Sequence, residues 1–354
     1  MTKNNVSKDK LLCTENEIAK TPKFYSLVKG NNSQMFEEYA NNYANNSICY
    51  DLSYNIGGYS PKRFVRYSTE EFGHLFESLQ SGQSSYVTYI SDLLDENQGL
   101  PPIKTISVLR KIISSPFVAK NEEICSRIAN IFGLPTVYNR VVDKFSCDND
   151  ACEVLSVDFL KKDETLVPLN EIGVKGFPFK VKSFPQVYEL SDCVKSLQKS
   201  LNSYLINYPN KEEQINEITK DYIKSYFVKY LILNDADFAP RNFSLIINDK
   251  KKVAKFAPNY DYECCLCSQG GVVDLRPDIL DNAINFIATN YPEVLCDIKC
   301  MLLGAVNSTR LDSLANVYKC VPNSNYSEIH KVKNRAKNTL NQLQTKDYLT
   351  CMGD

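Results

Sequence analysis

Residues 221–267, DYIKSYFVKYLILNDADFAPRNFSLIINDKKKVAKFAPNYDYECCLC, limit the fold of this chain more than any other stretch. Ile218, Tyr222, Tyr226 and Tyr230 recur every three or four residues, which predicts an amphipathic helix from about residue 215 that runs directly into a loop. Pro240 removes a backbone donor and bars a helix from continuing through Asp237. The apolar runs 243–247 and 253–256 flank the polar turn NDKKK, the pattern of a β-hairpin. The predicted order is therefore helix, loop, hairpin, loop, with Asp237 and Asn242 in the first loop and Asp261 in the second.

Asp237, Asn242 and Asp261 match a known chemical need. Phosphoryl transfer requires one carboxylate to orient the attacking hydroxyl. It also needs an amide and a second carboxylate to hold the divalent ions that neutralise the nucleotide phosphates. Taken singly each could be a turn residue, but their order and flanks are those of a kinase C-lobe. LILNDADFAPRNFSLI followed by FAPNYDYE resembles the catalytic and metal-binding segments of the HipA-like kinase family, an N-x-D-x-H-x-x-N loop before an A-P-x-Y-D motif. The resemblance implies Asp237 as catalytic carboxylate, Asn242 and Asp261 as Mg²⁺ ligands, and Arg241 where the family has a phosphate-facing lysine. Ala239 replaces the usual His of the loop, and Asp235 replaces its leading Asn.

The resemblance extends upstream. GGYSPK is similar to the family's phosphate loop and nominates Gly57, Gly58 and Lys62 for nucleotide binding; adjacent glycines also let backbone amides approach phosphates. Asn55 stands at the position of the serine that self-regulating members phosphorylate, with Ser53 and Ser60 nearby. Lys104 is the candidate for the strand lysine that holds the α and β phosphates, in preference to Lys120. NEEICSRIANIFGLP is similar to the family's N-E-x-x-C-x-x-L-A-x-x-x-G-L-P and predicts an αC-like helix, capped by Asn121 and ended by Gly133 and Pro135. Glu122 is either the partner of the nucleotide lysine or an ordinary first-turn charge; Glu123 is read as the latter. Residues 136–142 and 153–160 read as strands. Val157, Asp158, Phe159 and Leu160 take the place of the family's hinge, where backbone would meet adenine. Helices are predicted at 190–205, 277–290, 292–306, 310–318 and 326–343.

The implied architecture is α+β: a two-lobed protein-kinase-like fold with a flexible extension over 1–40, a mixed N-lobe over 41–160, and a mostly helical C-lobe over 161–354. Residues 68–100 read as an insertion into the N-lobe. Lys and Arg total 41 against 42 Asp and Glu, without a basic stripe, so direct nucleic-acid binding is not expected. No apolar run is long enough to span a bilayer and no signal peptide is evident, which places the chain in a cytoplasm. The 13 cysteines are odd in number and scattered, so free thiols are expected. A zinc site would need thiolates from Cys147 and Cys152 to converge with Cys264, Cys265 and Cys267; compact apolar filling is the simpler reading. The resemblance implies an ATP- and Mg²⁺-dependent serine/threonine protein kinase acting on a protein substrate, with a DNA-binding antitoxin as a further partner. A small-molecule phosphotransferase, or a nucleotide-binding pseudokinase acting as a toxin-like interaction module, fits the same residues.

Overall fold

The computed structural model describes residues 23–24, 62–68, 105–113, 115–137, 139–142, 152–157, 159–160, 163–175, 188–266, 277–319 and 324–345. The chain divides into two compact units, Met1–Pro116 with Val137–Thr165, and Phe117–Thr136 with Leu166–Asp354. Helices and two small β-sheets make it a mixed α and β protein. Among the described residues no helix is long and apolar enough to cross a membrane.

The first unit holds an antiparallel sheet of β1 (Lys62–Ser68), β2 (Thr105–Ile113), β3 (Asn139–Val142) and β4 (Cys152–Val157), in the order β1-β2-β4-β3. β2 is rich in β-branched residues, as a central strand should be. Its register sets Lys62 opposite Lys111 and Val108 opposite Val157. Ile113, Val141, Val154 and Leu155 are buried, and Ser156 Oγ donates to Asn139 Oδ1 at 2.6 Å. The strands are shorter than expected, beginning at Asn139 and ending at Val157; Thr136 makes only an isolated bridge with Asn259.

Helix α1 spans Pro116–Ile131 and belongs, after its first residue, to the second unit. It starts five residues before the expected cap. Pro116 has its φ preset for a first helical position and needs no N–H there, so the helix opens at the proline and Asn121 lies in its interior, buried, with Nδ2 3.4 Å from Cys265 O. Glu123 is consequently not a first-turn charge. It is buried, pairs with Arg127 at 2.7 Å and accepts from Tyr318 Oη at 2.7 Å. The C-terminus ends as expected: Gly133 takes φ +79°, and Leu134 N reaches back to Ala129 O at 3.0 Å.

Strand β5 (Thr165–Pro168), unforeseen in the sequence, neighbours β6 (Ser244–Asn248), which pairs antiparallel with β7 (Val253–Phe256) in the expected hairpin. Around it pack α2 (Leu190–Tyr204), α3 (Lys211–Ser225), α4 (Pro277–Asn290), α5 (Pro292–Asn307), α6 (Arg310–Lys319) and α7 (Tyr326–Thr345). Helix α3 has Glu212 and Glu213 in its first turn and Lys224 in its last, which complements its dipole. The core beneath the first loop is aromatic. Phe238 packs against Tyr222, Tyr226, Tyr230 and Phe243, with ring centroids 4.7–5.9 Å apart. Each such pair contributes about 0.5–1.5 kcal/mol beyond area burial.

Candidate functional site

Helix α3 does not stop at Ser225. It widens into a π-helical segment, Tyr226–Ile232, all seven residues buried. Leu233 N reaches Val228 O at 2.8 Å, and Asp235 N reaches Lys229 O at 3.1 Å. Asn234, at φ +57°, then reverses the chain. The loop that follows is held by one side chain and by its own backbone: Asp235 Oδ1 accepts from Asp237 N at 3.0 Å, and the Asp237 carbonyl accepts from Ala239 N at 2.8 Å. Pro240 opens a single 3₁₀ turn, Pro240–Asn242. Phe238 and Phe243 are pegged into the core on either side, leaving Asp237 partly exposed.

Asp237 and Asn242 meet directly. Asn242 Nδ2 donates to Asp237 O at 2.8 Å and to Asp237 Oδ2 at 3.1 Å. Arg241 also folds back onto this carboxylate, with Nη2 2.5 Å from Oδ1 and 2.7 Å from Oδ2. The arginine expected to face phosphate thus covers the carboxylate expected to receive the hydroxyl proton.

Asp261 arrives by a separate route. After the hairpin, Asn259 N and Nδ2 both donate to Pro135 O, at 2.9 and 3.1 Å, and Nδ2 also donates to Ser225 Oγ at 3.0 Å. Tyr260 Oη lies 2.5 Å from Ser244 Oγ, and Tyr262 Oη 2.6 Å from Thr136 Oγ1. Between these anchored tyrosines Asp261 adopts φ +57°, a left-handed conformation that Asp tolerates better than most residues. The two loops are stitched by backbone: Ala236 N to Cys264 O at 3.1 Å, and Leu266 N to Leu233 O at 2.8 Å.

Three carboxylates act on this region. Burial pushes the Asp235 carboxyl up to about 6; Lys229 opposes the rise, and the charges of Asp237 and Asp261 add to it. The Cys264 thiol is pushed up to about 12 by burial, then by Asp235, Asp237 and Asp261. Asn242 directs its amide nitrogen to Asp237, which leaves its carbonyl oxygen as a hard donor, and Asp261 supplies a carboxylate. Donors of these two types are the ones Mg²⁺ takes, one or two from protein with water and phosphate completing its shell. Among the described residues no three His, Cys, Asp or Glu side chains gather as a metal cage. Cys264 and Cys265 are free thiols, and Cys265 is buried against Cys125; Cys147 and Cys267 lie outside the described residues.

Asp235 gives a pH prediction. Its folded pKa of about 6 lies above the ordinary 3.8, so its contribution to stability is full below pH 3.8 and is lost as pH rises through 6. The loss amounts to roughly 3 kcal/mol at about 1.4 kcal/mol per unit. Thermal midpoints of wild type and Asp235→Asn, compared between pH 4 and 7, should show wild type losing ground as pH rises. Parallel curves would remove Asp235 from the titration.

The remaining expected residues are placed as follows. Glu122 is buried inside α1. In the first unit Lys62 begins β1, Val157 ends β4, and Phe159 and Leu160 are buried. Gly57, Gly58, Lys104 and Asp158 lie outside the described residues. Lys120 is in helix α1, not in a strand. The structure adds Lys111, only 5% exposed near the end of central strand β2. Lys111 shares a face of the strand with Leu109 and the buried Ile113 but also with Thr105 and Ser107, so the alternation does not mark its burial.

No family model matches the chain, and no curated protein matches it. Among solved structures it is similar to the Helicobacter pylori proinflammatory kinase CtkA, at 14% identity and a TM-score of 0.46, covering 85% of this chain and 93% of that one. It is also similar to the toxin–antitoxin system of Shewanella oneidensis MR-1, solved as HipA, HipB and operator DNA. There the identity is 12% and the TM-score 0.43, covering 88% of this chain and 70% of that one. At this level of likeness, what the site does must be read from its own side chains.

Proposed function

We propose that the chain is a HipA-like serine/threonine protein kinase that transfers the γ-phosphoryl group of ATP to a protein hydroxyl. The observation that carries the reading is the joining of Asp237 to Asn242 within one short loop, stitched by backbone to the segment bearing Asp261. In this mechanism Asp237 accepts the hydrogen of the substrate hydroxyl and orients its oxygen, which requires Arg241 to leave the carboxylate first. Arg241, once released, is free to face the transferred phosphate. Asn242 Oδ1 and Asp261 would hold Mg²⁺, which when bound neutralises the nucleotide phosphates. Gly57, Gly58 and Lys62 contribute the phosphate loop, residues 157–160 the adenine contacts, and Glu122 a charge for the nucleotide lysine. A DNA-binding antitoxin partner belongs to the same reading.

Lys111 is favoured as that lysine, because a buried strand position excludes the water that would otherwise compete for its charge. Lys111→Ala should weaken ATP binding about 10- to 100-fold, the weight of a hydrogen bond to a charged group. Lys104→Ala and Lys120→Ala should do far less, as titration calorimetry would read. Equal effects at all three positions would return Lys111 to a structural role.

One observation favours a second reading. Arg241 occupies both Asp237 oxygens, as a nucleotide-binding pseudokinase could allow permanently. Incubation with ATP, Mg²⁺ and a cell lysate, followed by phosphosite mass spectrometry, separates the two. New sites with wild type that are absent with Asp237→Asn support the kinase, whereas no new sites with wild type sink it.

A further inference from the structure

Lys229 is fully buried, in the middle of the π-helical segment, an unusual place for an ammonium group. Its Nζ donates to Tyr260 O at 2.7 Å and lies 3.6 Å from Asp235 Oδ2. The rings of Phe243 and Tyr262 flank it, with centroids 4.9 and 5.0 Å away. Asp235 is 1% exposed, and its other oxygen accepts from Asp237 N at 3.0 Å. These contacts form one continuous chain: Asp237 amide, Asp235 carboxylate, Lys229 ammonium, Tyr260 carbonyl, and the peptide bond that leads to Asp261.

A buried ion pair is a poor source of stability, since desolvation of both charges offsets most of their attraction; apolar side chains of similar volume often serve as well or better. Geometry is what this pair supplies. Asp237 and Asp261 lie 24 residues apart, in loops on either side of a hairpin. The peptide before Asp261 must also be held while Asp261 sits in the left-handed region. A single ammonium, hydrogen-bonded to one loop and ion-paired with the other, fixes each relative to the other.

We propose that Lys229, with Asp235, is a positioning residue that sets the register of Asp237 against Asp261, an inference that rests on the phosphotransferase reading above. Neither residue touches substrate or metal; both act through the loops they join.

The test compares wild type, Asp235→Asn, Lys229→Met/Asp235→Asn and Lys229→Gln/Asp235→Asn. The Met/Asn protein loses both charges together, so no buried charge is left unpaired, and the Asn oxygen still accepts from Asp237 N. It should unfold near the wild-type temperature. With Mn²⁺ and ADP as the probe, followed by electron paramagnetic resonance, it should bind Mn²⁺ about 10- to 100-fold more weakly, the usual effect of losing a group that orients a metal ligand. Turnover should fall about 10²-fold, the effect of a misplacement of around 1 Å. The Gln/Asn protein, whose amide can still donate to Tyr260 O, should recover part of the Mn²⁺ affinity; this comparison with Asp235→Asn also decides the matter if the Met/Asn protein does not fold. A folded Met/Asn protein with wild-type Mn²⁺ affinity, or a Gln/Asn protein that binds no better than it, would overturn the proposal. Wild type that binds Mn²⁺ with ADP yet transfers no phosphoryl group overturns the kinase reading instead, and the affinities alone then decide the role of Lys229. Wild type that binds no Mn²⁺ overturns both.

Discussion

Asp237→Asn should lower phosphoryl transfer by about 10²- to 10⁴-fold, the range for a positioned general base, and leave ATP affinity nearly unchanged. A side chain that meets only the substrate hydroxyl acts in the transition state and adds little to ground-state binding of nucleotide. The substitution preserves the loop, because the Asn242 bond to the Asp237 carbonyl and the turn closed by Asp235 do not involve the carboxylate. It also loosens Arg241, whose partner becomes neutral. Initial rates measured beside calorimetric ATP affinities give the answer. Equal rates for the two proteins would remove Asp237 from the chemistry.

For Asp261→Ala the expected result is nucleotide affinity that no longer responds to Mg²⁺, in a protein that still folds. The Asp261 side chain is half-buried and outside the apolar core. Its loop is fixed by neighbours: Asn259 on Pro135, Tyr260 on Ser244 and Tyr262 on Thr136. The backbone adds a small cost, because Ala at φ +57° is disfavoured by about 1–2 kcal/mol. Asp261→Asn is the matched control, since Asn tolerates that conformation, and it should lose the Mg²⁺ response with a smaller drop in melting temperature. A folded Asp261→Ala protein whose ATP affinity still rises with Mg²⁺ would remove the metal assignment.

The two loops and the hairpin between them were legible because their determinants are local. Asp, Asn and Pro shape turns through their own side chains, and the runs on either side of NDKKK alternate strand with turn. The C-terminal helices were equally plain, with Pro277 and Pro292 at the first positions of α4 and α5. The start of α1 was misjudged because two local signals competed: Asn121 as a cap and Pro116 as a first residue. Packing of Ala119, Ile124 and Ile128 extends the helix to the proline. Lys229 and Lys111 were missed for another reason. A lone lysine in YFVKYLI or TISVLRKII looks like a surface charge, and its burial depends on contacts distant in sequence, such as the carbonyl of Tyr260 31 residues away. Periodicity gave no warning for Lys229, since a π-helical segment departs from the 3.6-residue repeat on which such readings depend.

That segment makes chain length itself a variable of the site. Hydrogen bonds that span five residues where an α-helix spans four are what remains when one residue is inserted into a helix whose two ends cannot move. Both ends here are fastened: Lys224 pairs with Asp297 at 2.8 Å before the segment, and Arg335 Nε holds Ile232 O at 2.7 Å at its close. A relative of this chain that lacked one residue between Ser225 and Asn234 could keep every side chain discussed above and remain fully helical there. It would still present Lys229 to a different side of the helix, with no carbonyl to meet it. Among homologous sequences, the count of residues between the end of α3 and the loop is therefore as telling a mark of a working site as the identity of its acids.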